Sequence, residues 1–170
     1  MGMVGGSLDA FIGGVHRRAA IMDGEIELVC GAFSSSPEKS KQTGASLYLP
    51  AERVYTNYEE MILTEKTLPE GERMDFVCIV TPNFMHFGPS KLALENGFHV
   101  VCDKPITLNT AEALEIEQLV ASTGLLFCLT HTYTGYPMVK QAKAMIAANE
   151  IGKIRKVIVE YPQGWMATMI

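Results

Sequence analysis

Residues 76–107 read FVCIVTPNFMHFGPSKLALENGFHVVCDKPIT. Two apolar runs, Phe76 to Val80 and His99 to Cys102, are short and rich in β-branched residues, and each predicts a buried strand. The stretch between them has room for a helix. Strands separated by a helix cannot pair as a hairpin, so this unit predicts two parallel strands joined by a right-handed crossover.

The same alternation runs outward in both directions. Met3-Val4, Ile26 to Phe33 and Leu125 to Leu129 predict further strands. Ala113, Ile116 and Val120 recur at i, i+3, i+7, and Met138, Ala142, Met145 and Ile146 at i, i+4, i+7, i+8, the spacings of helical faces. Helix starts are marked as well. Asn57 stands three residues before Glu60 and Asn109 three before Glu112, while Ser36 is followed by Pro37 at a first-turn position. The expected fold is α/β, a doubly wound parallel sheet with helices on both faces. A boundary is expected near Thr132. Beyond it a helix from about Pro137 to Asn149 leads into a strand, Ile154 to Tyr161, whose sheet partners do not follow in the sequence. Residues 133–170 are therefore expected to be only the beginning of a second α/β domain.

Bulk properties narrow the partners. A chain of 170 residues with 48% hydrophobic content can bury one sizeable core. Its net charge of -5 and scattered basic residues lack the footprint of a protein that tracks nucleic acid or an anionic membrane. No apolar run is long enough to span a bilayer, and no secretion signal precedes the first strand, so a cytoplasmic location is expected. The opening MGMVGG has Gly6 where a myristoylation signal has Ser or Thr. Cys30, Cys78, Cys102 and Cys128 are widely separated and form no C-x-x-C pair, which predicts buried reduced thiols and no metal site. Small molecules or protein remain as partners.

In a parallel sheet of this kind ligands sit beyond the carboxyl ends of the strands, so the strand-end junctions carry the chemistry. The first reads GMVGGSLDAFIGGVH. A pyrophosphate needs backbone N–H groups at close range with no Cβ in the way, which Gly5, Gly6 and Gly13 can provide. The spacing is longer than G-x-G-x-x-G, a plain glycine turn remains open, and Asp9 is expected as the N-cap of the next helix. After the second strand, AFSSSPEKS has Ser34 and Ser35 where an NAD enzyme carries an acid for the ribose hydroxyls. Lys39 or Lys41 is then free to attract a 2'-phosphate, which makes NADP at least as suitable as NAD. Ser36 is expected to cap a helix.

The third junction, IVTPNFMHF, has Thr81, a rigid Pro82, Asn83 as cap of the following helix, and His86, which either meets a cofactor or packs beneath it. The fourth, HVVCDKPIT, puts Lys104 directly after a buried strand. There it can donate to a substrate hydroxyl, and partial burial would suit it to proton transfer. Asp103 is expected to orient it and Pro105 to fix its direction. Tyr136 and Lys140 spell the Y-x-x-x-K of short-chain dehydrogenases, but Pro137 leaves Tyr136 at a helix entrance and no suitable serine-bearing strand precedes it.

Taken together, GMVGG with IGGVHR, IVTPNFMH, CDKPIT, THTYTGYPM and GKIRKVIVEYPQGW resemble the glucose-fructose oxidoreductase / inositol dehydrogenase / rhizopine catabolism (Gfo/Idh/MocA) family. CDKP is similar to the family's E/D-K-P signature. The resemblance implies an NAD(P)-binding Rossmann domain, here 1–132, and an oxidoreductase acting on a secondary alcohol of a sugar or cyclitol. It implies Lys104 as the lysine at the reacting hydroxyl, Thr81, Pro82, Asn83 and His86 as the cofactor-lining loop, and Tyr133 and Tyr136 beside the substrate. Together with the junction residues read above, the expected cofactor-binding set is Gly5, Gly6, Gly13, Ser34, Ser35, Thr81, Pro82, Asn83, His86, Asp103 and Pro105. An aspartate and a histidine of the second domain, the histidine as proton acceptor, would complete the site; neither position falls within these 170 residues. The alternative is a non-catalytic NAD(P)-binding fragment or sensor sharing the fold. A strand such as Ile154 to Tyr161 has two unpaired edges, which leads to the expectation of a homo-oligomer.

Overall fold

Strands β1 (Gly2–Gly5), β2 (Cys30–Ala32), β3 (Phe76–Val80), β4 (His99–Cys102) and β5 (Phe127–Leu129) form a sheet in the order β2-β1-β3-β4-β5 in the computed structural model, which describes residues 1–164. Every pairing is parallel. Between the strands lie α1 (Phe11–Ile21), α2 (Pro37–Ser46), α3 (Tyr58–Glu65), α4 (Phe87–Glu95) and α5 (Thr110–Thr123).

The alternation of side chains along each strand divides the core between the two faces of the sheet. Val4, Val77, Ile79, Val100 and Cys102 pack with Met61, Ile62, Ala93, Leu94 and Ile116 from α3, α4 and α5. Met3, Cys78 and Val80 point the other way and pack with Phe33, Val54 and, from α1, Ile12 and Ala20. This is the doubly wound Rossmann-type arrangement. A single parallel bridge, Gly31 to Val54, lies beyond β2. It puts Val54 in the third-strand position of the Rossmann order 3-2-1-4-5-6, reduced here to one residue.

The caps form where the sequence marks them. Ser36 Oγ accepts from the Lys39 N–H at 3.4 Å, Asn57 Oδ1 from the Glu60 N–H at 2.7 Å, and Asn109 Oδ1 from the Glu112 N–H at 3.0 Å. In return Glu60 Oε2 accepts from the N–H and hydroxyl of Thr56. Gly124, at φ +69°, ends α5 with a left-handed residue.

Several expectations are corrected. β2 covers only Cys30–Ala32 of the expected Ile26 to Phe33, because its partner β1 begins at Gly2, opposite Cys30, and residues 26–29 run past the end of that strand. β5 likewise starts at Phe127, not Leu125. Asp9 does not cap α1, whose N-cap is Ala10 with no side-chain bond; the Asp9 carboxylate lies 3.5 Å from Lys39 Nζ instead. Cys128 is exposed, whereas Cys30, Cys78 and Cys102 are buried. Burial pushes each of those three thiols up to about 12, so they stay protonated.

The chain divides into two compact units, Met1–His131 and Thr132–Ile170. The second contains a 3-10 turn, Thr132–Gly135, and α6 (Pro137–Ala147), with Tyr136 as N-cap and Pro137 in the first turn. Residues 154–161 form no strand there. They are irregular and exposed. Trp165, which closes the GKIRKVIVEYPQGW stretch, lies outside the described residues. No helix among the described residues is long and apolar enough to cross a membrane.

Candidate functional site: the crevice at the β1–β3 ends

β1 is followed by a connection to β2 on one side, and β3 lies on its other side, so the chain reverses direction in the sheet at β1. Such a reversal opens a crevice at the carboxyl ends of the strands. Here it is a cavity of about 540 Å³ whose walls include Gly5, Gly6, Ser34, Ser35, Thr81 and Pro82. Six of the expected cofactor residues thus come from three separate junctions to one place.

The floor is built by glycine. Gly5 and Gly6 turn the chain at φ +82° and +75°, a region closed to most side chains. Arg17 of α1 donates from Nη1 to the Gly6 carbonyl at 2.6 Å and holds the turn against the helix. Gly13 does not line the crevice; it is buried in α1 against Gly6, so its part is to let helix and turn approach. Next to Gly5, just after β3, Thr81 has a buried Oγ1 with no hydrogen-bond partner. A buried orphan hydroxyl beside a glycine turn is a polar group waiting for a ligand. The residues present therefore fit a pyrophosphate-containing cofactor.

Ser34 serves two ends. It lines the crevice, and its Oγ accepts from the Ser36 N–H at 3.1 Å, which tightens the turn into α2. Asn83 is exposed and opens a 3-10 turn, Asn83–Met85, so it does not cap α4, which begins only at Phe87. His86 packs beneath the crevice and does not line it. Fully buried, it approaches the Pro105 carbonyl with Nδ1 at 2.6 Å and the Thr81 carbonyl with Nε2 at 3.0 Å, tying the junction after β3 to the one after β4.

The β4 junction departs further from expectation. Lys104 is exposed, so the partial burial expected of it is not found. Asp103 does not serve Lys104 with its carboxylate: Oδ1 accepts from the Thr130 hydroxyl at 2.8 Å and lies 3.8 Å from His16 Nε2, whose Nδ1 is 3.3 Å from Cys78 Sγ. Asp103 and Pro105 therefore brace the loop that carries Lys104 from outside the crevice. The Lys104-Pro105 peptide is cis.

Sequence reasoning missed another wall of the cavity, Thr56, Asn57, Tyr58 and Glu59 at the start of α3. The Asn57 cap marked that helix start, but the strand before it is the single Val54 bridge and shows no apolar run. In the second unit Tyr133 stacks edge-on against Tyr136 at 5.6 Å and against Tyr161 at 5.4 Å, with the Tyr133 and Tyr161 hydroxyls hydrogen-bonded. That hydrogen bond raises the pKa of Tyr133 above its ordinary value.

Residues 1–132 match the family described as "Oxidoreductase family, NAD-binding Rossmann fold", GFO_IDH_MocA. The chain is 38% identical over 167 residues to the uncharacterised oxidoreductase YfiI of Bacillus subtilis (strain 168), which covers 98% of this chain and 42% of that protein. It is 29% identical over 136 residues to D-xylose 1-dehydrogenase (NADP(+)) of Hypocrea jecorina, with 79% of this chain and 33% of that one covered. The crystal structure of an inositol dehydrogenase homolog complexed with NADH and myo-inositol, from Azotobacter vinelandii, superposes with a TM-score of 0.87 at 36% identity, covering 91% of this chain and 40% of that one. The chain thus spans less than half the length of each. With its glycine turn, its switch-point crevice and this match over residues 1–132, the chain belongs to the Gfo/Idh/MocA oxidoreductase family, whose Rossmann fold binds NAD.

Proposed function

We propose that this chain carries the dinucleotide-binding part of an NAD(P)-dependent oxidoreductase acting on a secondary alcohol of a sugar or cyclitol. The observation that carries the reading is the crevice itself, lined by the Gly5-Gly6 turn and by Thr81, whose hydroxyl is buried and unpartnered. Gly5 and Gly6 let a pyrophosphate reach the backbone, Ser34 and Ser35 meet the ribose at the β2 end, and Thr81 and Pro82 border the nicotinamide side. When bound, the nicotinamide supplies the hydride acceptor or donor. Lys104, exposed at the end of β4, donates a hydrogen bond to the substrate oxygen, while Asp103 and His86 hold its loop. Residues 133–170 begin the C-terminal substrate domain, with Tyr133 and Tyr136 toward the substrate, and the enzyme works as a cytoplasmic homo-oligomer. The substrate class is supported by the relatives named for D-xylose and myo-inositol.

Binding comes first. Calorimetry or thermal shift of the 170-residue chain with NAD, NADH, NADP and NADPH is expected to show stabilisation that grows with ligand concentration. No shift with any of the four at millimolar level removes the cofactor assignment. In the chain reconstituted with a family C-terminal domain, Lys104→Ala is expected to depress turnover by roughly 100-fold or more, the scale of a lost acid-base or orienting group. Dinucleotide affinity is expected to change far less. Unchanged turnover would return Lys104 to an ordinary surface residue and favour the non-catalytic alternative.

A further inference from the structure

The rim of the crevice beside Ser34 and Ser35 carries an ion pair that joins two different elements. Asp9, in the loop between β1 and α1, brings its Oδ2 to 3.5 Å from Nζ of Lys39 in the first turn of α2. The neighbours of Asp9 in the loop, Ser7 and Ala10, line the crevice, as do Ser34 and Ser35 on the α2 side. The pair therefore ties the loop after β1 to the start of α2 next to the β2 end of the cavity, where a Rossmann domain receives the adenosine ribose.

We propose that Asp9 is a specificity-determining residue that makes this crevice favour NAD over NADP. The inference rests on the dinucleotide reading above. NAD and NADP differ at one place, the ribose 2'-oxygen, where NADP carries a phosphate of charge near -2. The serines after β2 leave no acid there to repel it, so discrimination must come from groups brought in by the fold. Lys39, a cation at the start of α2 after the β2 end, is paired with Asp9. Lys41, further along α2, adds its charge near Glu38, whose carboxylate accepts from the Ser36 hydroxyl at 2.9 Å and is held below the usual carboxylate range by hydrogen bonds from its own backbone and from Ser36. Glu59 adds a further carboxylate to the cavity wall. Asp9 thus supplies from the β1 loop the carboxylate that the β2 end lacks.

Both partners are well exposed, with side-chain exposures of 60% for Lys39 and 80% for Asp9, so the pair adds little to folding and can be altered without unfolding the chain. Its effect on a bound phosphate is larger, because a doubly charged group meets a unit charge at close range.

The test is isothermal calorimetry of the full chain with NAD+ and NADP+, for the unaltered protein, Asp9→Asn, and Asp9→Asn combined with Lys39→Met. The unaltered chain is expected to bind NAD+ more tightly. Asp9→Asn is expected to tighten NADP+ by about tenfold at low ionic strength, as Coulomb attraction at an exposed site allows, with NAD+ little changed. Adding Lys39→Met is expected to abolish that gain, and about 1 M salt, where the screening length is about 3 Å, to erase most of it. An unaltered chain that prefers NADP+, or an Asp9→Asn chain with the same NAD+/NADP+ ratio, overturns this inference and leaves the dinucleotide reading standing. Absence of binding by both cofactors overturns the dinucleotide reading and this inference with it.

Discussion

A Glu65→Ala chain is expected to lose about 3–5 kcal/mol of folding stability, the cost of leaving a buried ionic partner uncompensated. Glu65 is completely buried in α3. Its Oε1 accepts from Arg53 Nε at 2.8 Å and from the Tyr55 hydroxyl at 2.9 Å. Its Oε2 accepts from Arg53 Nη2 at 2.8 Å and from the Met74 N–H at 3.0 Å. One carboxylate thus satisfies a two-pronged guanidinium, a phenol and a backbone amide, and alanine strands all of them. Arg53 and Tyr55 flank Val54, the one-residue third strand, and Thr56 and Asn57 follow into the crevice wall, so dinucleotide affinity is expected to fall along with stability. Urea denaturation with an unchanged m-value measures the loss. A double change, Arg53→Met with Glu65→Leu, is expected to recover part of it by removing both charges. A single-variant loss below about 1 kcal/mol would mean that solvent already satisfies Arg53.

That node also shows where sequence reading stops. Val4, Val77 to Val80 and Val100 were legible as strands because a parallel sheet buried on both faces demands unbroken β-branched runs, and the alternation of strand and helix left one topology. Ser36, Asn57 and Asn109 were legible as caps because a cap is a local bond over three residues. Arg53 and Glu65 stand twelve positions apart, and a glutamate late in a helix reads as a surface residue until the fold buries it. The Val54 bridge has no run to detect, and with it went the Thr56 to Glu59 wall. The extent of Ile26 to Phe33 depended on where β1 begins, a property of the partner strand. Junction position alone brings Gly5, Gly6, Ser34, Ser35, Thr81 and Pro82 to one crevice. Gly13, His86, Asp103 and Pro105 lie outside its walls and act through contacts with other segments, His86 in one of the two ways left open for it, packed beneath the crevice.

Gly13 and Gly14 separate those two kinds of information within one dipeptide. Sequence alone gives two adjacent helical glycines, each destabilising by about 0.5–1 kcal/mol relative to alanine. In the fold they differ completely. A Cβ at Gly13 would lie 2.4 Å from the Gly6 Cα and 2.8 Å from the Gly6 carbonyl oxygen, whereas at Gly14 the nearest atom is the tip of Arg17 at 4.0 Å. Gly14→Ala is therefore expected to raise the melting temperature by a few degrees and leave dinucleotide binding unchanged. Gly13→Ala gains the same helical propensity, but its methyl meets backbone, which cannot rotate aside as a side chain can. To make room, α1 must draw back from β1, which loosens the Arg17 bond to the Gly6 carbonyl and moves the turn that forms the crevice floor. A net loss of about 1–3 kcal/mol, the range for overpacking, is expected. Dinucleotide affinity is expected to fall by roughly tenfold or more, the equivalent of about 1.4 kcal/mol in binding. Melting curves and calorimetry on the two variants side by side make the comparison. If both alanines stabilise the chain and bind alike, the close approach of α1 to the glycine turn does not govern the site.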